Sequence, residues 1–248
     1  MSKAPTVAVI IPARYASSRF EGKPLALIAG RPMIERTWSR CAEAVGRDRV
    51  WVATDDDRIA EHARTAGMQV VMTSADHPTG TDRVAEAASR ISADIYVNVQ
   101  GDEPMMPPAD ITAVIEAWHP TTAPVVNGMC PIDDEAAYRN TSIPKVVAAP
   151  DGRLLYMSRG PVPHTKDGAF AKGWRQVCVY AFAGEALAAF TTTGGKTPLE
   201  EIEDIEILRF LELGMPVRMV PLSAGSIAVD HPEDVALVEA ALVAAGED

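Results

Sequence analysis

Val7-Ala8-Val9-Ile10-Ile11-Pro12-Ala13-Arg14-Tyr15-Ala16-Ser17-Ser18-Arg19-Phe20-Glu21-Gly22-Lys23-Pro24 opens with an apolar, β-branched run that has no polar alternation. Such a run predicts a central parallel strand, buried on both faces, over Val7 to Ile11. Pro12 lacks a ladder donor, so the strand is expected to stop there and a loop to begin. That loop sets Arg14, Arg19 and Lys23 among small or turn-forming residues. Small residues let backbone amides approach an anion, and clustered cations can neutralise a polyphosphate. In an open α/β sheet, ligands bind at the carboxyl ends of strands, where this loop would lie. Taken singly, such cations are as often simply exposed. Neither the Walker spacing nor the Gly-x-Gly-x-x-Gly fingerprint is present.

The chain has 248 residues and a formal net charge of −11. That balance argues against a nucleic-acid surface but not against a nucleotide, whose phosphates need only local cations. No run of about 18 apolar residues occurs, so no membrane span is expected. Met1-Ser2-Lys3-Ala4-Pro5 leads into a strand without a signal-peptide core. Cys41, Cys130 and Cys178 are widely spaced and form no Cys-x-x-Cys pair, which predicts packing thiols in a reduced cytoplasm.

After the loop, Pro32–Val45 reads as a helix, 49–53 as a buried strand, and Gln69–Met72 as a third strand. This alternation predicts an α/β fold with a mostly parallel central sheet. Thr79-Gly80-Thr81-Asp82-Arg83 precedes a helix expected over Val84–Ile91, and Thr-Gly there is compatible with ordinary capping. Ile95–Val99 reads as a strand ending in Gln100-Gly101-Asp102-Glu103. A carboxylate beside Gly at a strand's carboxyl end is placed to hold Mg²⁺ against phosphate oxygens, although Gly-Asp also makes plain turns. Beyond Trp118, short strands separated by Pro, Gly and Asp predict a smaller antiparallel subdomain. The expected organisation is one domain over 1–248, with one part at about 1–120 and 225–248 and a subdomain at about 121–224.

The opening motif resembles that of the 3-deoxy-manno-octulosonate (Kdo) cytidylyltransferases. So do Val97-Asn98-Val99-Gln100-Gly101-Asp102-Glu103-Pro104, Ser158-Arg159-Gly160-Pro161, the segment from Pro198-Leu199-Glu200 to Arg209, and Val229-Asp230-His231-Pro232-Glu233-Asp234. The resemblance spans essentially the whole chain and implies a Rossmann-like nucleotidyltransferase moving CMP from CTP to an acidic sugar, with release of pyrophosphate. It implies catalytic roles for Arg14, Lys23, Asp102 and Asp230, with Asp102 and Asp230 holding Mg²⁺. It implies nucleotide contacts from Ala13, Arg14, Arg19, Lys23, Thr79, Gly80, Thr81, Gln100 and Gly101. Acceptor contacts are implied for Arg83, Gln100, Arg159, Gln176, Tyr180 and Glu206. The second subdomain would carry the acceptor pocket and a homodimer surface. Read without the family, Asp230 fits an N-cap of the last helix, with Pro232 in its first turn.

Departures fall on the acceptor side. Gln176 stands for a family His, Ile207 for a Gln, Pro163-His164-Thr165-Lys166 for Pro-Trp-Asp-Arg, and Ser226-Ile227-Ala228 for Gly-Thr-Gly. A sugar hydroxyl left unpaired at Ile207 would cost about 1–3 kcal/mol, so an altered acid sugar is expected. A nonulosonate or phosphonate acceptor, or a non-catalytic nucleotide-binding homologue, remain as alternatives.

Overall fold

Parallel pairing of β1 (Val7–Ala13) with strands on both its sides sets the architecture. The computed structural model describes residues 4–17, 19–223 and 225–247. Met1, Ser2, Lys3 and Ser18, all quoted in the reading of the opening segment, lie outside them. The chain divides into two units, Met1–Thr112 with Gly225–Asp248, and Ala113–Ala224.

In the first unit, β1 is followed by a hairpin of β2 (Leu27–Ile28) and β3 (Arg31–Pro32). Then come α1 (Met33–Val45), β4 (Val50–Thr54), α2 (Asp57–Thr65), β5 (Gln69–Met72), α3 (Gly80–Ala88), β6 (Ile95–Val99) and α4 (Pro108–Ala117), within which the unit ends at Thr112. Strand order is β6-β1-β4-β5, all parallel, with Val7 opposite Ile95 and Val9 opposite Val50. The α/β class expected from the alternation is the class observed. Strand β1 runs two residues past its expected end. Its pairing with β6 stops at Ile10–Asn98 while β4 continues to Ala13–Thr54. Past Ile10 the β6 ladder makes no demand on the Pro12 nitrogen, so the proline is tolerated.

Helix α3 starts four residues before the expected Val84. Thr79 is its N-cap, accepting from the Asp82 N–H at 3.2 Å, so Thr81, Asp82 and Arg83 lie in the first turn. The capping reading of Thr79 is realised. Asp56 likewise caps α2 by accepting from Arg58 N–H at 2.9 Å. Cys41 is fully buried in α1, where desolvation pushes its thiol far up, and no described cysteine is in a disulfide. Among the described residues no helix is long and apolar enough to cross a membrane.

The second unit contains β7 (Val125–Ile132), α5 (Glu135–Arg139), β8 (Lys145–Ala148), β9 (Leu154–Ser158), β10 (Gly173–Ala183), α6 (Gly184–Thr191), α7 (Pro198–Glu203), α8 (Ile207–Glu212) and β11 (Val217–Pro221). β7, β10, β8 and β9 pair antiparallel, as expected, but β11 adds to β7 in parallel. β11, a strand that the sequence reading did not single out, takes this direction because the α6–α8 run carries the chain back after β10. Between Pro198 and Arg209 the chain forms two short helices rather than one, because Asp204 takes the left-handed conformation at φ 50°. After β11 the chain returns to the first unit and ends in α9 (Asp234–Ala245).

The second unit buries a complete ion pair. Arg209 and Glu200 are each fully inaccessible, with Nε–Oε2 at 2.5 Å and a second nitrogen on Oε1 at 2.7 Å. The guanidinium also donates to the Phe190 carbonyl and stacks 3.5 Å from the Phe190 ring centroid. Glu200 closes a capping box with Thr197 as well. Removing one partner leaves a buried charge uncompensated, whereas removing both does not. Arg209→Leu is therefore expected to destabilise the protein by about 3–5 kcal/mol, while Arg209→Met with Glu200→Gln recovers most of that loss. Urea unfolding midpoints of the three proteins check this; equal losses in both variants would contradict it.

Candidate active site

Because β1 and β6 run parallel side by side, their carboxyl ends emerge together, delivering Arg14 from one and Gln100-Gly101-Asp102 from the other. Gly101 suits this exit: a Cβ there would lie 3.0 Å from the Pro12 carbonyl oxygen, a crowded contact with main chain. The opening loop then folds back on itself. Gly22 N–H donates to the Tyr15 carbonyl at 2.9 Å with φ of +69°, and an added Cβ would sit 3.0 Å from the Tyr15 ring. This turn leads into a short 3₁₀ segment, Lys23–Leu25, and fixes where Lys23 starts.

The Lys23 ammonium ties three distant segments together. It donates to Asp102 Oδ2 at 2.7 Å and to the Val229 carbonyl at 2.9 Å, and lies 4.0 Å from Asp230 Oδ1. Arg19 reaches the same Asp230 oxygen at 2.9 Å. Val229 N–H donates back to the Asp102 carbonyl at 3.0 Å, which locks the returning strand of chain to the end of β6. Ser226 and Glu103 are hydrogen-bonded one step further along. Apolar packing sets this geometry: Val229 is fully buried with Ile28, Met33, Val238 and Leu242, and Phe20 and Ile227 pack against the same cluster. The helix-capping reading of Asp230 is corrected. α9 begins at Asp234, whose carboxylate accepts the Asp230 and His231 N–H groups at 2.8 and 2.7 Å, leaving the Asp230 side chain to the cations.

The segment before α3 approaches the end of β6. A Cβ on Gly80 would lie 2.8 Å from Gln100 Nε2, so a side chain there would displace the Gln100 amide. Thr81 and Ala13 are buried, and Arg14 is exposed. Arg83 is held inward, 4 % exposed, by Asp55 at 2.8 Å and the Thr73 hydroxyl at 2.5 Å. Burial lowers its pKa and Asp55 opposes that shift. In this conformation its guanidinium therefore serves the interior.

In the second unit, Gln176 and Tyr180 stand together at a bulge in β10, where register shifts between Val177 and Tyr180. The buried Asn127 donates to the Val177 and Val179 carbonyls, both at 2.9 Å, and so spans the bulge. Those two carbonyls orient the Asn127 amide, making its Oδ1 an acceptor. Gln176 must therefore turn its nitrogen to Asn127, at 3.0 Å, and the same nitrogen meets the Tyr180 hydroxyl at 3.2 Å. Its carbonyl oxygen is left to accept. Asn127 escaped the sequence reading; a lone amide inside Val-Val-Asn-Gly-Met was its only signal.

Arg159 is spent largely on main-chain carbonyls, those of Glu203 at 2.5 Å, Asp204 at 2.8 Å and Thr141 at 3.1 Å. Lys145 is fully buried and donates to the carbonyls of Asn140, Ile143 and Arg159. Desolvation and the Arg159 charge push its pKa down. Glu206 occupies the N-cap position of α8. Ile207 is 1 % exposed, so its side chain contributes packing.

The cytidylyltransferase family profile matches residues 8–217. The chain is 45 % identical over 249 residues to the 3-deoxy-manno-octulosonate cytidylyltransferase of Myxococcus xanthus, covering 99 % of this chain and 100 % of that one. It is 37 % identical over 232 residues to that of Escherichia coli, covering 94 % and 93 %. Among solved structures, a CMP:2-keto-3-deoxy-manno-octonic acid synthetase complexed with CTP superposes with a TM-score of 0.90 at 34 % identity, over 97 % of this chain and 99 % of that one. With the motifs and the fold agreeing along nearly its entire length, this chain belongs to the family of 3-deoxy-manno-octulosonate cytidylyltransferases.

Proposed function

We propose that this protein transfers CMP from CTP to Kdo or a close 2-keto-3-deoxy analogue, releasing pyrophosphate. The observation that carries this reading is the convergence of Lys23, Asp102, Asp230 and Arg19 at the carboxyl end of the parallel sheet. Cations of the opening loop suit a triphosphate, and near-full-length identity to enzymes named for this reaction supplies the acceptor class.

Mg²⁺ is the proposed cofactor, with Asp102 and Asp230 as its ligands. The donor set fits: two carboxylates already share one cation, the Lys23 ammonium, and Mg²⁺ is typically bound by one or two carboxylates together with substrate phosphates. When bound, Mg²⁺ would supply Lewis-acid polarisation of a phosphate oxygen. Arg14, Arg19 and Lys23 bind and orient the triphosphate, leaving the α-phosphorus open to in-line attack by the anomeric hydroxyl. Ala13, Gly80 and Gly101 allow close approach of the nucleotide, and Thr79, Thr81 and Gln100 offer directional polar groups for cytosine and ribose. Arg83, Gln100, Arg159, Gln176, Tyr180 and Glu206 remain the proposed contacts of the sugar acid. For Arg83 and Arg159 this requires leaving carbonyl and carboxylate partners that they hold here. A homodimer in the cytoplasm is the proposed working state; exposed Leu199 and Ile202 on α7 supply apolar surface in the second unit.

Pyrophosphate release with CTP, Mg²⁺ and a panel of acid sugars tests the assignment. CTP should be used far better than ATP, GTP or UTP, and equal use of these would end the cytidylyl reading. Asp102→Asn should lower turnover by more than the roughly 10–100-fold typical of losing a metal ligand's outer-shell partner. Asp230→Asn should also lower turnover while leaving the melting temperature unchanged, since Asp234 rather than Asp230 secures the start of α9. A fall in melting temperature alone would assign Asp230 to structure.

The fixed orientation of Gln176 makes its oxygen a hydrogen-bond acceptor for the sugar. Gln176→Leu should lower kcat/KM for the preferred acid by about 2–12-fold, the worth of one hydrogen bond. The loss should be carried by KM and should vanish for an analogue lacking the donor group. Undiminished kcat/KM for every acid tested would remove Gln176 from the acceptor site.

A further inference from the structure

We propose that Lys23 is a tethered stand-in for the divalent cation: it holds Asp102 and Asp230 in the free protein and is released only when a triphosphate draws it away, so that metal and triphosphate bind with strong positive coupling. This rests on the reading of Asp102 and Asp230 as metal ligands. The ammonium has three N–H donors. Asp102 Oδ2 at 2.7 Å and the Val229 carbonyl at 2.9 Å take two, and Asp230 Oδ1 lies within ion-pair distance at 4.0 Å.

Charge decides what can enter. Arg19 and Lys23 carry the same formal charge as Asp102 and Asp230 remove, so the free cluster is neutral and has no excess attraction for a dication. A Mg²⁺ bound at about 2.0–2.1 Å to Asp102 Oδ2 would stand within about 5 Å of an unmoved ammonium, whatever its direction of approach. The Lys23 side chain is only 15 % exposed and Asp102 28 %, so solvent screens that repulsion poorly. Arg19, at 57 % exposure, pairs with Asp230 where water competes freely, and contributes less to the latch. A triphosphate reverses the balance. Its oxygens offer Lys23 and Arg19 charge-assisted partners, and their departure uncovers both carboxylates. Because linkage is reciprocal, the factor by which triphosphate tightens metal binding equals the factor by which metal tightens triphosphate binding.

An unusual consequence is that deleting a cation of the nucleotide site should improve metal binding. Mn²⁺ serves as the probe, its free fraction read by electron paramagnetic resonance in titrations of the full chain without nucleotide. Lys23→Met should bind Mn²⁺ about tenfold more tightly than the natural protein, within the 5–150-fold range usual for coupled sites. Lys23→Arg, which keeps the charge, should stay weak. With α,β-methylene-CTP, which cannot release pyrophosphate, Mn²⁺ binding should tighten more in the natural protein than in Lys23→Met. If Lys23→Met binds Mn²⁺ no more tightly while Asp102→Asn abolishes binding, the metal site stands and the latch is overturned. If Asp102→Asn changes nothing in either background, the carboxylate reading fails and takes the latch with it. Circular dichroism of each variant establishes that the fold is retained before the titrations are compared.

Discussion

A single, largely buried side chain, that of Lys23, is the constraint around which the first unit is arranged. Its partners stand 79 and 206 residues away in sequence, at the end of β6 and in the segment leading to α9. Electrostatics alone would not hold such a meeting, since partly exposed ion pairs are weak. What holds it is burial of the apolar residues beside each charged one. Val229 is inaccessible next to Asp230, Phe20 packs into the same cluster as Val229 and lies between Arg19 and Lys23 in the chain, and Gly101 closes against Pro12 next to Asp102. Each full burial of an aliphatic side chain contributes about 1.5–3 kcal/mol, so the core bears the cost of bringing like charges into one cleft.

The second unit depends on a different economy, in which several charged and amide side chains are taken inside and paired. Asn127 spans the β10 bulge, Lys145 ends on three carbonyls, and Arg209 divides its donors between Glu200 and Phe190. Unpaired groups at such depth would be expensive, whereas these networks give rigidity with little net penalty. One result is functional. The chain of orientations from the Val177 and Val179 carbonyls through Asn127 leaves Gln176 no choice of which amide atom it presents.

Several cations read from the sequence as ligand contacts have interior partners. Arg83 is paired with Asp55, and Arg159 clamps the main chain around Asp204. A motif specifies that a cation is present but not where its donors point, because that is settled by residues such as Asp55 that belong to no motif. The same holds for Asp230: the N-cap position of α9 falls to Glu233, and Asp234 instead accepts the Asp230 and His231 N–H groups.

The α/β alternation, the strands at Gln69–Met72 and Ile95–Val99, and the family itself were legible in the sequence, because they rest on local hydrophobic runs and on long contiguous motifs. Local signals failed where a distant neighbour set the outcome. Pro12 stays in β1 because the β6 ladder ends two residues earlier. β11 is parallel to β7 after the three helices that separate it from β10. The sequence by itself determined which chemical groups this protein possesses and the order in which strands and helices follow. Only the tertiary structure decided which of those groups meet, since pairing across 79 or 206 residues depends on burial and strand register that no local pattern encodes.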